Sequence, residues 1–393
     1  MGSFAPVPDD GPLRLVLVGA GNMGRAWLRT ILGTPTVRLV GLVDLDLDLA
    51  HRAATENGLD VVVGDSLTTV AAQSGAQAVV DVTVPPAHHA VNTEALMAGL
   101  PVLCEKPIAP TVAETLSLIA TEEVSGQLLM TSQSRRYYPA LAKLKSMTAT
   151  LGDIGIVTTE FFKAPHFGGF RDEMEHPLLV DMAIHAFDAV RYLLDADPVS
   201  VDCRTFNPSW SWYRGDAAAN AIFTFEGGTR YAYAGSWCSP GLETSWNGSW
   251  RVSGARGTAV WDGDGDPDVA HADDGGAPAG EVPANRSEIG EVPAIRPEIA
   301  GALDEFVSAL RTGETPSGDV HSNVHSLAMV EAAVLSAATG RTVELAGVLE
   351  DAYRAALVSE RRDDVREALR SWGSASARTR VGEQSKRSEQ SLA

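Results

Sequence analysis

Three short stretches hold side chains that could do chemistry. In CEKP, residues 104–107, a lysine follows directly on an apolar run, Leu100-Pro101-Val102-Leu103. An ammonium against an apolar strand end is costly unless it is paired, so Lys106 is either a structural partner of Glu105 or a group that acts on a substrate. In DMAIHAFD, residues 181–188, Asp181 and His185 are four apart and on a helix would share one face. Leu178, Leu179, Val180, Met182, Ile184 and Phe187 surround them, which leaves a satisfied structural pair or a proton-transfer couple. The third stretch, GAGNMG at 19–24, carries no reactive group, but its glycines could cradle a phosphate.

GAGNMG fits GxGxxG through Gly19, Gly21 and Gly24. It follows a strand-forming run, opens a helix-compatible stretch, and is followed by an acid, Asp44, twenty residues after its last glycine. Dinucleotide binding requires that arrangement, and a plain turn would not. Gly19 permits the tight turn, Gly21 lets backbone approach a pyrophosphate, and Gly24 lets helix pack on strand. Asn22 and Met23 complete the loop, and the helix start offers N–H groups and partial positive charge. Asp44 is expected to accept hydrogen bonds from the adenosine ribose. Asp46 and Asp48 follow, with no arginine or lysine in the seven residues after Asp44, so a 2′-phosphate would meet carboxylates. NAD is therefore expected in preference to NADP.

The elements that must position these groups change character along the chain. Strand signals at 13–18, 37–43, 61–63, 78–82, 102–104 and 127–132 alternate with helical stretches at 47–57, 66–73, 87–98 and 111–124. Such alternation predicts an α/β, doubly wound parallel sheet ending near residue 134. Longer strands then follow at 154–163, 199–206, 217–225, 229–238 and 248–253, interrupted by one strong helix at 178–194. They predict an α+β domain with an open, largely antiparallel sheet. Residues 262–298, rich in Asp, Gly and Pro, contain a tandem copy, GEVPANRSEI then GEVPAIRPEI, and are expected to be a variable surface insertion. Helices fit 299–311, 320–338 and 350–371, before a polar tail at 373–393.

Bulk properties narrow the field. With 393 residues, the chain has room for two cores. A formal net charge of −20 repels phosphate backbones and anionic lipid, which argues against nucleic acid or membrane as partners. Cys104, Cys203 and Cys238 lie far apart and read as free thiols of a reducing compartment. The N-terminus has neither the basic nor the apolar region of a signal peptide, and no apolar run reaches the length of a membrane span, so a cytoplasmic location is expected. Without HExxH or a cysteine cluster, no metal is expected.

With GAGNMG at its start, VPPAHH at 84–89, AGLPVLCEKPIA at 98–109 and DMAIHAFD at 181–188, the chain resembles the glucose–fructose oxidoreductase and inositol dehydrogenase (Gfo/Idh/MocA) family. The resemblance runs from about residue 13 to about 345. It implies a Rossmann NAD-binding domain over 13–134, a substrate-binding and oligomerising domain over 135–372, and a homo-oligomer formed through the C-terminal sheet. It implies that Lys106 reaches the reacting hydroxyl beside the nicotinamide, that Glu105 shapes the cofactor pocket, and that Asp181 and His185 act in catalysis. His166 falls on a loop where the family builds its substrate pocket. His89 keeps the position of the family histidine, as cofactor contact or as helix-start structure, and Val84 stands where members often carry threonine in Thr-Pro-Asn. Arg136 matches an arginine that touches either substrate or a domain interface. Of Trp210, Trp212, Trp237, Trp246, Trp250 and Trp261, one or two are expected against the substrate and the rest in the core.

The chemistry so implied is reversible hydride transfer between NAD and a secondary hydroxyl of a sugar, sugar derivative or cyclitol. His185 would be the base, Asp181 its orienting carboxylate, and Lys106 the charge that stabilises the alkoxide. Two other readings share the motifs. One is transient sugar oxidation that cleaves a glycosidic substituent, and the other is a non-catalytic NAD-binding sensor.

Overall fold

The computed structural model describes residues 4–7, 11–272 and 295–379. In chain order the elements begin with β1 Leu13–Val18, α1 Asn22–Leu32, β2 Val37–Val43, α2 Leu47–Glu56, β3 Val62–Gly64, α3 Leu67–Ser74 and β4 Ala78–Asp81. There follow α4 Pro85–Met97, β5 Val102–Glu105, α5 Val112–Ser125, β6 Leu129–Ser132, α6 Pro139–Thr150 and β7 Ile154–Phe162. Helix α7 spans Leu178–Ala183, a π-helical turn, and Ile184–Leu194. Then come β8 Pro198–Phe206, β9 Ala218–Phe225, β10 Arg230–Ser236, β11 Ser249–Gly254, β12 Gly257–Trp261 and β13 Asp268–His271. The last are α8 Glu298–Thr312, α9 Val320–Thr339, β14 Val343–Glu344, α10 Leu345–Ser359, α11 Asp363–Trp372 and α12 Ser376–Thr379.

The described residues divide into two compact units. The first lies within Met1–Ser134, Arg296–Val324 and Leu349–Ala393, the second within Arg135–Ile295 and His325–Val348. The first unit thus takes in segments from three parts of the chain. Helix α8 packs on α1 and β6, and α11 packs on α5. The reason lies in α5, which is buried without interruption from Thr115 to Glu122. A run longer than two turns leaves no face for water, so α5 needs a neighbour besides α4.

The sheet of the first unit has the order β3-β2-β1-β4-β5-β6 with every pair parallel. Its central strands β1 and β4 are apolar except at Arg14 and Asp81, as suits strands covered on both faces. Strand order reverses between β1 and β4, and a crevice at the carboxyl ends of such strands is where this topology accommodates ligands.

The second unit holds an eight-stranded sheet, β13-β12-β11-β7-β10-β9-β8-β14, antiparallel apart from the β7–β10 pair. Alternation sorts its faces. Val157, Tyr231, Phe223 and Val201 form one buried cross-strand row, while Ile156, Ile222 and Val260 are exposed on the other side. Phe187 of α7 packs on the buried side, 4.8 Å from Phe223 and 5.4 Å from Tyr233 between ring centroids.

Some elements differ from expectation. Helix α6 was not expected, although Pro139 at its first turn is a usual helix start. The stretch 350–371 is two helices, broken where Arg362 is extended; there the Arg362 N–H donates to Glu360 Oε1 at 2.7 Å, and Ser117 of α5 donates to the other oxygen. Within 262–298, β13 pairs with β12 and Glu298 opens α8. Residues 273–294, which hold the first tandem copy and half of the second, lie outside the described residues, as do residues 380–393 of the tail.

Arg136 proves to be an internal brace. Its guanidinium donates twice to Asp188 of α7, at 2.7 Å each, and Ser326 adds a third bond to that carboxylate at 2.7 Å. Ser326 also accepts from Arg191 at 2.9 Å. With Arg136 and Asp188 both buried, Arg136→Met is expected to cost about 3–5 kcal/mol in urea unfolding, because the carboxylate stays behind without its bidentate cation. The exposed Arg214–Glu173 pair is the control, and Arg214→Met should change stability by about 1 kcal/mol or less.

Candidate functional site

The glycine loop follows β1. Gly19 has φ +103°, and a Cβ there would lie 2.8 Å from the Val82 carbonyl oxygen. At Gly24 a Cβ would lie 2.1 Å from the carbonyl oxygen of Gly19, so only glycine lets α1 approach β1 this closely. At Gly21 it would meet nothing within 4 Å, which marks the open side of the loop. Helix α1 starts there with no side-chain cap, leaving its first N–H groups to face an anion. Asn22 Oδ1 accepts from Arg25, and Met23 is exposed at the rim.

Asp44 follows β2 and turns back to this loop. Its Oδ2 accepts from the Ala20 N–H at 2.7 Å and its Oδ1 from the Asp46 N–H at 2.9 Å. The carboxylate thus braces the loop, and each oxygen keeps a further lone pair suited to a ribose hydroxyl. Asp46 caps α2 and, like Asp48, is exposed. The residues present fit a dinucleotide: a cradle that a Cβ would fill, an uncapped helix start and an acid fixed beside them.

At the end of β5, Glu105 and Lys106 are half-buried and the Lys106–Pro107 bond is cis. Glu105 Oε1 accepts from the Trp27 indole N–H at 2.8 Å, and Oε2 from the Lys106 backbone N–H at 3.1 Å. Burial pushes the Glu105 carboxyl up from its ordinary value, against the pull of the Trp27 N–H and the Lys106 charge. Trp27, wholly buried on α1, escaped the sequence reading; its one available signal was an indole N–H that needs an acceptor.

Sequence reasoning also missed His88. Its Nδ1 is 2.7 Å from the Pro107 carbonyl oxygen and its Nε2 is 3.0 Å from that of Thr83. Both nitrogens of this buried ring thus face backbone carbonyl oxygens. Asp81 lies close by; burial raises its carboxyl and the His88 charge opposes that rise. Burial and Asp81 together push the Cys104 thiol well up, which makes it an inert core group. His89, the histidine singled out by the sequence, finds its partner elsewhere, with Nε2 3.0 Å from Ser117 Oγ on α5. Val84 is exposed at the start of α4.

The second unit carries the other expected residues. Asp181 lies in the π-helical turn of α7 and His185 in the α-helical part, so the four-residue spacing does not give the simple α-helical stacking expected. Such turns recur at functional sites. Asp181 Oδ2 accepts from Arg171 Nε at 2.6 Å, a cation that sequence spacing gave no means to pair with it. His185 lines a small cavity of about 20 Å³ with Arg135, Tyr233, Trp246 and Trp250. That is room for about one water molecule. His166 is exposed and stacks on Trp212 with ring centroids 3.6 Å apart. Trp237, Trp250 and Trp261 belong to the core, whereas Trp210 and Trp246 are exposed.

Residues 13–133 match the model of an oxidoreductase family with an NAD-binding Rossmann fold, and residues 149–345 match that family's C-terminal alpha/beta domain. The chain is 33% identical over 193 residues to inositol 2-dehydrogenase 1 of Saccharopolyspora erythraea, covering 48% of this chain and 56% of that enzyme. It is 27% identical over 340 residues to D-apiose dehydrogenase of Paraburkholderia graminis, covering 84% and 88%. In fold it is similar to the WlbA dehydrogenase from Chromobactrium violaceum, solved with NADH and UDP-GlcNAcA, at a TM-score of 0.74 and 20% identity over 87% of this chain and 98% of that one. Glycine cradle, parallel sheet and open antiparallel sheet therefore converge with the family match, and the chain belongs to the Gfo/Idh/MocA family of NAD-binding oxidoreductases.

Proposed function

We propose that the protein is a dehydrogenase that oxidises a secondary hydroxyl of a sugar, sugar derivative or cyclitol, reversibly, with NAD. The observation that carries this reading is the pinned lysine. Lys106 follows β5 with its backbone N–H held by Glu105, and Glu105 is in turn held by Trp27 of the helix that the glycine loop opens. Bound NAD supplies the hydride acceptor; the remaining work falls to the chain. His185 takes the hydroxyl proton as the hydride leaves the same carbon, a task suited to imidazole near neutral pH. Asp181 orients that imidazole and supports its positive charge, itself held by Arg171. The Lys106 ammonium stabilises the oxygen as it becomes negative. His166 on Trp212, and the exposed faces of Trp210 and Trp246, offer flat surfaces for the C–H faces of a sugar ring.

A fluorescence screen for NADH, with NAD and a panel of cyclitols and aldoses, tests the reading. No NADH with any polyol would count against it. On a substrate so found, Lys106→Met and His185→Ala should each lower turnover by about two to four orders of magnitude while NAD binding persists. Asp181→Asn should cost less than His185→Ala, because the base remains. Near-normal turnover in His185→Ala would remove it as the base.

Cofactor choice follows from Asp44. Titration should give tighter binding of NAD than NADP, and Asp44→Ala should narrow the gap; NADP binding as tight as NAD in the unaltered protein would contradict the assignment.

A second copy of the chain is the proposed occupant of the sheet's exposed face. Ile222 pairs there with Ala232, which pairs in turn with Thr158, giving an uncharged run between Asp202 and Arg251. Ile222→Arg should lower the mass measured by light scattering toward that of one chain. An unchanged mass would move the contact elsewhere.

A further inference from the structure

Two clusters among the described residues combine histidine, carboxylate or thiol groups at metal-binding separation. The first, Asp81, His88 and Cys104, fails as a metal site because both His88 nitrogens are turned to carbonyl oxygens and none is left to ligate. The second, Glu122, Asp319 and His321, lies within the first unit, and its donor atoms all fall within 4.8 Å of one another.

We propose that Glu122, Asp319 and His321 bind a divalent transition metal of the zinc type. His321 Nε2 is 2.7 Å from Glu122 Oε2, while its Nδ1 faces the Arg378 carbonyl oxygen of α12 at 3.1 Å. That carbonyl accepts, so Nδ1 carries hydrogen, while Nε2 faces the cluster, where a bound ion would replace the proton it shares with Glu122. A backbone carbonyl on the second nitrogen is the usual way a metal-binding imidazole is held. Glu122 is 2% exposed, and its Oε1 has no hydrogen-bond partner among the described residues. A buried carboxylate oxygen left so is costly, and a cation would remove that cost.

Asp319 is fixed as well. Its Oδ2 accepts from the His321 N–H at 3.1 Å at the start of α9, and its neighbour Gly318 is tied to β6 through the Thr131 N–H at 2.8 Å. One imidazole nitrogen and two carboxylates suit zinc, with water completing the tetrahedron. Bonds of about 2.0–2.2 Å place such donors about 3.4 Å apart, so the His321–Glu122 contact has to open by about 0.7 Å. The ion would join α5, the start of α9 and, through His321, α12. No local spacing marks the site, because its ligands come from positions 122, 319 and 321.

The test uses the full chain after chelator treatment. Zn²⁺ titrated against a chromophoric chelator should bind at a single high-affinity site, and Glu122→Gln and His321→Ala should each weaken it at least about tenfold. Cobalt should give a tetrahedral absorption spectrum in the unaltered protein, and His321→Cys should retain cobalt and add a thiolate charge-transfer band. That variant keeps the proposal falsifiable even if the others fold poorly, and NAD binding reports that each is folded. Zn²⁺ affinity unchanged by Glu122→Gln, or a His321→Cys protein with cobalt but no thiolate band, would overturn the proposal and leave an ordinary ion pair.

Discussion

A methyl group has no room at Gly24, and much of the first unit follows from that fact. A Cβ at this position would sit 2.1 Å from the carbonyl of Gly19, so α1 lies closer to its strand than any other residue type allows. One turn later the same helix carries Trp27, which at this depth is wholly buried and delivers its indole N–H to Glu105. Glu105 holds the backbone of Lys106. The glycine that seats α1 and the lysine assigned to the chemistry are thus coupled through one indole and one carboxylate. The seat of α1 and the backbone position of Lys106 are set by a single act of packing.

In the second unit the corresponding constraint is the seating of α7. Phe187 sinks among Phe223, Tyr231 and Tyr233, and the next residue, Asp188, is clamped by Arg136 and Ser326. Apolar packing and a buried ion pair on consecutive residues fix the helix in depth and in rotation. The π-helical turn that precedes this anchor sets the direction in which Asp181 points, and there Arg171 meets it. A helix held so firmly can carry polar groups at its loosely wound end without losing its place.

The parts legible in the sequence were those with a local signal. The alternation of strand and helix, the glycine spacing and the acid after β2 all depend on residues near one another in the chain. Trp27 and Glu105 are 78 positions apart, and no periodicity joins them. His88 and His89 are adjacent and chemically alike, and only the helix geometry decides that the first meets the Pro107 carbonyl while the second meets Ser117. The break before α11 was hidden for a similar reason, since it is held by a side chain of α5. Arg136 could not be assigned until its buried partner on α7 was known.

The burial of α5 has a consequence for how the chain is made. That helix leaves the ribosome early, with an unbroken buried stretch from Thr115 to Glu122, yet α11, which packs on it, is encoded some 240 residues later. Until then the nascent first unit carries an uncovered apolar flank, the kind of surface that invites aggregation or a chaperone. The cofactor domain precedes α11 in sequence, but its final fold waits for that helix. Synthesis order and folding order must therefore part company in this protein.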